Sequence, residues 1–171
     1  LLRKQLEAMP DGGVVAIAAP PNPFRCPPGP YERACQIAMY LQAKKPKSKL
    51  MIFDAKDKFS KMGLFKQAFE RYYKDTIEWV GASDGGAITR VDAAGNTLYA
   101  GDAAHKVDVA NVIPAQQAGA IAIKAGLTDD SGWCPIDGRS FESTLHKGVH
   151  VIGDASIAKP LPKSGYAANS Q

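Results

Sequence analysis

The chain has 171 residues, 45% of them hydrophobic, which is room for one ordinary domain, or one domain and part of a second, with a buried core. Its 21 Lys and Arg against 17 Asp and Glu leave a net charge of +4, too mild and too scattered to speak for nucleic-acid binding. No stretch is long and apolar enough to span a bilayer, no signal peptide opens at Leu1, and the three cysteines fit no zinc-ligand spacing.

Residues 1–9 read as the tail of a helix, and Asp11-Gly12-Gly13 as the turn that launches the apolar strand Val14–Ala19. A loop carrying Pro20, Pro21, Pro23, Pro27, Pro28 and Pro30 follows. It leads to a helix over Tyr31–Gln42, whose Ala34, Ile37, Ala38 and Leu41 share one face. The lysine run 44–49 reads first as a solvated helix end and turn, and otherwise as a docking patch for an acidic partner. Leu50–Asp54 is a second strand, Ser60–Tyr73 a second helix and Thr76–Val80 a third strand, an order that predicts a parallel sheet. Ala87–Asp92 and Thr97–Ala100 flank a turn and read as an antiparallel hairpin added to that sheet. Val107–Ile113 is a strand closed by Pro114, and Gln116–Lys124 a short helix.

The last elements carry the most chemistry. Residues 148–154 read as a short buried strand ending in Gly153-Asp154, followed by a proline-punctuated loop and a helix of small residues starting near Ser164. An aspartate at the end of a parallel strand can accept a hydrogen bond from a ribityl or ribose hydroxyl, and a helix start can face electron-rich cofactor atoms. That is half of a flavin site. Its other half would be a Gly-x-Gly-x-x-Gly loop, which is absent from these residues, so the chain reads as a piece of a larger flavoprotein.

The loop after the first strand is the place where a dinucleotide-binding fold holds pyrophosphate on glycine N–H groups; prolines there remove donors and stiffen the backbone. Asp54 ends the second strand, where an acidic residue can meet a ribose, but without the glycines it reads as a strand-end or turn carboxylate. A rigid loop suits a reactive side chain, and Cys26 is the candidate nucleophile. Arg25 and the nearby helix start would favour its thiolate; the bland alternative is a packed thiol. Cys35 and Cys134 read as structural. His105, His146 and His150 form no metal-ligand pattern, and Ser156 and Ser164 read as capping or packing residues.

Several segments carry a family resemblance: Phe24–Ala34 (FRCPPGPYERA), Gly132–Pro135 (GWCP), Thr144–Gly148 (TLHKG), His150–Ala155 (HVIGDA) and Pro162–Gln171 (PKSGYAANSQ). Together they resemble the flavoprotein subunit of flavocytochrome c sulfide dehydrogenase along nearly the whole chain. The resemblance implies an α/β fold of the glutathione-reductase type. Residues 1–108 would be the second nucleotide-binding domain, a Rossmann-like parallel sheet with an antiparallel hairpin, and residues 109–171 a partial return into the FAD-binding domain.

The same resemblance implies FAD as cofactor, sulfide as substrate, haem only on a c-type cytochrome partner subunit, and a periplasmic location. It makes Cys26 one of two redox cysteines that form a disulfide over the flavin and receive sulfide sulfur. Asp154 would hold the ribityl chain, with Gly153 allowing the approach. Lys163, Ser164, Gly165 and Tyr166 would face the flavin pyrimidine edge, Lys163 adding charge. The Gly-x-Gly-x-x-Gly domain and a flavin-attaching cysteine would precede Leu1, and the second redox cysteine, matched by neither Cys35 nor Cys134, would follow Gln171. The rival readings are a sulfide:quinone oxidoreductase, a fragment that binds no flavin and self-associates through uncovered apolar surface, and an NAD(P)H-dependent flavin reductase.

Overall fold

The computed structural model describes residues 1–170, which divide into two compact units. The first takes residues 1–22 and 28–114; the second takes Pro23–Pro27 together with the chain from Ala115 onward.

In the first unit, α1 (Leu2–Ala8) precedes β1 (Val14–Ala19), α2 (Gly29–Lys44), β2 (Lys49–Asp54), α3 (Met62–Tyr72) and β3 (Ile77–Val80), as the apolar periodicities predict. Pro30 sits in the first turn of α2, where its missing N–H costs nothing, and Ala34, Ile37, Ala38 and Leu41 are all buried. Strands β4 (Arg90–Asp92), β5 (Thr97–Ala100), β6 (Ala103–Lys106) and β7 (Val109–Val112) complete the unit. The main sheet is wholly parallel, in the order β3-β2-β1-β7, with Val15 opposite Leu50 on one side and Val109 on the other.

Side chains alternate across this sheet with the two-residue period of a strand. Val15, Ile17, Leu50 and Ile52 pack with Tyr31, Ile37, Leu41 and Phe69 of the helical layer. Ala16 and Phe53 form a second core with Leu98 and Val107, against which Val14, Met51 and Val80 pack. Burial on both faces explains why the strands read as continuous apolar runs.

Two expectations change here. The hairpin does not extend the parallel sheet; β4, β5 and β6 form a separate antiparallel meander, and Leu98 of β5 packs in the core on one face of that sheet. The third strand of the meander follows β5 through the two-residue turn Gly101-Asp102, with Gly101 at φ +58°. The first unit also runs past residue 108 to Pro114, because β7 is hydrogen-bonded to β1 at the edge of the main sheet.

The second unit contains α4 (Ala120–Lys124), β8 (Cys134–Pro135), β9 (Ser156–Ile157) and α5 (Gly165–Asn169). Strands β8 and β9 are parallel, and Ala118, Ala122, Trp133 and Cys134 form the core. Helix α4 is shorter than expected because the residues before it have other partners: Gln116 and Gln117 receive Arg25, and the Ala118 N–H bonds the Gly132 carbonyl. The buried strand expected over 149–152 does not form. Gly148 and Gly153, at φ +79° and +75°, bend the chain at both ends of the run, and only an isolated bridge joins His150 to Glu142. Val149 and Ile152 are accordingly exposed. Gly153–Ala155 is a single 3-10 turn running directly into β9.

Candidate functional site

Pro23–Pro27 leaves the first unit between β1 and α2 and packs as a strap in the second unit. Prolines 23 and 27 carry no N–H, so the strap is anchored through the residues between them. The Arg25 N–H donates to Gln116 Oε1 at 2.9 Å, and the Cys26 N–H donates to the Lys163 carbonyl at 2.7 Å. Cys26 is exposed and sits at φ +52°, a left-handed conformation that costs a residue with a Cβ about 1–2 kcal/mol. The Arg25 guanidinium donates to the Gln117 carbonyl at 3.0 Å, lies 5.4 Å from the centre of the Trp133 ring and approaches Asp154 Oδ2 at 3.9 Å.

Asp154 lies in the 3-10 turn opened by Gly153. Among the described residues its buried Oδ1 has no hydrogen-bond partner, and Oδ2 makes a long ion pair with Arg25. A half-turn of the carboxylate exchanges the two oxygens, so the group retains unspent acceptor capacity at the edge of the strap. A buried polar atom without a partner is rare in folded proteins and marks a place where a donor is missing.

Lys163 is used differently from the sequence expectation. Its side chain turns inward: the ammonium donates to the Asp154 carbonyl at 2.9 Å and the Ser156 carbonyl at 2.6 Å, and lies 3.8 Å from the centre of the Trp133 ring. The residue is only 9% exposed. Burial pushes its pKa down, partly opposed by the nearby Asp154 charge. Ser164 caps α5, its Oγ accepting the Ala167 N–H at 3.2 Å, while the Ala168 N–H bonds the Ser164 carbonyl. Helix geometry gives the first-turn N–H groups of Gly165 and Tyr166 no acceptor within α5, and Tyr166 is 87% exposed.

Cys26, Asp154, Lys163 and the start of α5 are thus brought together in one unit. Trp133, Gln116 and Gln117 complete the cluster; Trp133 belongs to the GWCP segment of the family resemblance, whereas Gln116 and Gln117 carried no sequence signal. Cys134 is fully buried, and burial pushes its thiol pKa up; Cys35 is half-buried on α2 and shifts the same way for the same reason. All three cysteines carry free thiols. Among the described residues no cluster of His, Cys, Asp and Glu is placed to hold a metal ion, and no helix is long and apolar enough to cross a membrane.

The first unit pairs its strand-end carboxylate with its own side chains. Asp54 is fully buried and accepts the Tyr31 hydroxyl at 2.6 Å, the Lys56 ammonium at 2.6 Å and the Trp79 indole N–H at 3.0 Å. Tyr31 stacks on Phe59, with ring centres 3.6 Å apart. The carboxylate that could have met a ribose is committed to this network.

A wholly parallel sheet with helices on one face and an antiparallel meander packed on the other define a nucleotide-binding-type α/β fold, and the second unit carries an aspartate, in a 3-10 turn, whose Oδ1 has no hydrogen-bond partner among the described residues. Two solved structures share this fold over most of the chain. A chain of the mitochondrial ATP synthase of Tetrahymena thermophila matches with a TM-score of 0.63 at 16% identity, over 90% of this chain and 39% of its own length. The flavoprotein disulfide reductase RclA of Escherichia coli matches with a TM-score of 0.57 at 15% identity, over 92% of this chain and 33% of its own. This chain therefore spans well under half the length of either. Residues 1–114 match the family model for the central part of the sulfide dehydrogenase (flavocytochrome c) flavoprotein chain, and the chain belongs to that family.

Proposed function

We propose that the protein carrying this chain oxidises sulfide, with Cys26 as the residue that receives sulfur. The observation that supports this best is the 2.7 Å hydrogen bond from the Cys26 N–H to the Lys163 carbonyl, which ties an exposed thiol to the segment whose Asp154 lacks a donor. The unpartnered Oδ1 fits a flavin: Asp154 would accept a ribityl hydroxyl, Gly153 would let the backbone bend toward it, and the Gly165 and Tyr166 N–H groups past Ser164 would meet the electron-rich edge of the ring.

In this reading Cys26 forms one half of a disulfide with a cysteine other than Cys35 and Cys134. Hydrosulfide attacks this bond; the S–S bond breaks, a persulfide forms on one sulfur and the other leaves as a thiolate. A second hydrosulfide takes the outer persulfide sulfur away as a disulfide anion, HSS⁻, leaving one thiol and one thiolate. As their S–S bond re-forms, two electrons and one proton are released. FAD, when bound, supplies the acceptor for that pair. A c-type cytochrome subunit is the proposed onward acceptor and the periplasm the proposed compartment. The prolines of the 20–30 loop and the committed Asp54 support a donor other than a nicotinamide dinucleotide.

The test is an anaerobic sulfide titration of the whole flavoprotein followed by visible absorbance, with Cys26→Ala alongside. Bleaching of the flavin band in the wild type and its loss in the variant are the expected results. Bleaching by NADH with sulfide inert, or equal bleaching in both proteins, would overturn the reading.

A further inference from the structure

We propose that Lys163 is a positioning residue that sets the location of the Cys26 sulfur relative to Asp154; this rests on the function proposed above. Burying an ammonium group is costly unless every donor is used. Here two N–H directions go to the Asp154 and Ser156 carbonyls and the ammonium rests on the face of Trp133, with no hydrogen bond to a carboxylate among the described residues. The side chain therefore closes the 154–163 segment on itself. From the same residue, the backbone carbonyl holds the Cys26 N–H. One lysine thus clamps the aspartate turn with its side chain and the cysteine strap with its backbone.

The strap depends on that clamp more than an ordinary loop would. Its two prolines cannot donate, and Cys26 is kept at φ +52° by what holds it rather than by its own preference. The second strap anchor, the Arg25 N–H to Gln116, fixes the chain one residue earlier and leaves the Cys26 peptide to Lys163. Removing the ammonium frees the Asp154 and Ser156 carbonyls, lets the segment shift, and moves the acceptor on which Cys26 hangs. A 1 Å misplacement of a reacting group costs about a hundredfold in rate.

The experiment is amide hydrogen exchange on the whole flavoprotein, read in a peptide spanning residues 23–30, for wild type and Lys163→Met, paired with steady-state sulfide kinetics. The proline content makes the peptide informative: only Phe24, Arg25, Cys26 and Gly29 within it carry exchangeable backbone N–H groups. Protection of the Cys26 amide is expected in the wild type, with exchange about tenfold or more faster in the variant. Turnover at saturating sulfide should fall about a hundredfold with KM for sulfide unchanged, and protection of β1 should stay as in the wild type. A wild-type Cys26 amide that exchanges as in an unfolded peptide overturns the proposal without any variant, as does a folded Lys163→Met protein with wild-type exchange at Cys26. Should sulfide reduce neither protein, the sulfide reading fails while the exchange comparison still decides the clamp.

Discussion

The Tyr31 hydroxyl donates to Asp54 at 2.6 Å inside a layer where both residues are completely buried, so the first crossover helix and the end of β2 are joined by a charged hydrogen bond. Lys56, 10% exposed at its side chain, neutralises the same carboxylate. Replacing one member of a buried pair leaves the other uncompensated, at a cost of about 3–5 kcal/mol. Asp54→Asn should therefore lower unfolding free energy by that order in urea titrations, whereas removing the exposed Glu70 partner of Lys74 should leave it nearly unchanged. Equal effects would mean that the Asp54 network is not a structural keystone.

Tyr31 also makes stability depend on alkaline pH. Burial, then the hydrogen bond to Asp54 and its negative charge, raise the Tyr31 pKa far above the ordinary tyrosine value. The unfolded chain loses this proton near pH 10 while the folded chain keeps it, so above that pH the unfolded state binds fewer protons and stability falls, by about 1.4 kcal/mol per pH unit from this group. Below pH 10 its contribution is fully present. Unfolding free energies between pH 8 and 11 should fall more steeply for the wild type than for Tyr31→Phe; parallel curves would contradict the assignment.

Two glycines should answer alanine in opposite directions. A Cβ on Gly86 would lie 2.0 Å from the Val80 carbonyl oxygen and 2.8 Å from that of Gly81, both backbone atoms that cannot step aside. Gly86→Ala should cost about 2 kcal/mol or more. A Cβ on Gly63, within α3, meets nothing within 4 Å, so Gly63→Ala should stabilise by about 0.5–1 kcal/mol. Thermal denaturation of the two variants checks both signs.

The three thiols should separate by reactivity. Cys26 is exposed, while Cys35 and Cys134 are covered and have pKa values raised by burial. After reduction, iodoacetamide at neutral pH should label one site quickly, and mass spectrometry should place it at Cys26. Fast labelling of Cys134 would mean that the core of the second unit opens in solution.

Asp154→Ala tests the proposed flavin contact separately from the proposed sulfur chemistry. A hydrogen bond to a charged acceptor contributes about 1.5–3 kcal/mol, so its loss should raise the population of the detached ribityl chain about 10- to 100-fold. In the whole flavoprotein, quenching of flavin fluorescence by iodide should rise in the variant. Unchanged quenching would assign the unpartnered Oδ1 to something other than flavin.

Much of the fold was legible because it rests on local periodicity. The buried face of α2, the apolar runs of β1 and β2 and the Ser164 cap each depend on residues a few positions apart. β6 escaped because Ala103–Lys106 has no apolar alternation; its only signal was the two-residue Gly101-Asp102 turn after β5. The Val149–Ile152 run misled for the converse reason. It has a strand's composition, but Gly148 and Gly153 turn the chain at either end, and one bridge to Glu142 is all the pairing it finds.

By itself, then, the sequence determined the parallel order of strands and helices, the proline-rich loop with Cys26 in it, and Asp154 as a second residue of interest. Only the tertiary structure decided which unit the strap joins, that the Lys163 ammonium points inward to carbonyls and Trp133, and that Asp54 is consumed by Tyr31, Lys56 and Trp79. The physical reason is common to all three. Each is a hydrogen bond or charge contact whose geometry is set by the packing of whole elements, and a single buried donor or acceptor leaves no periodic trace in the residues around it.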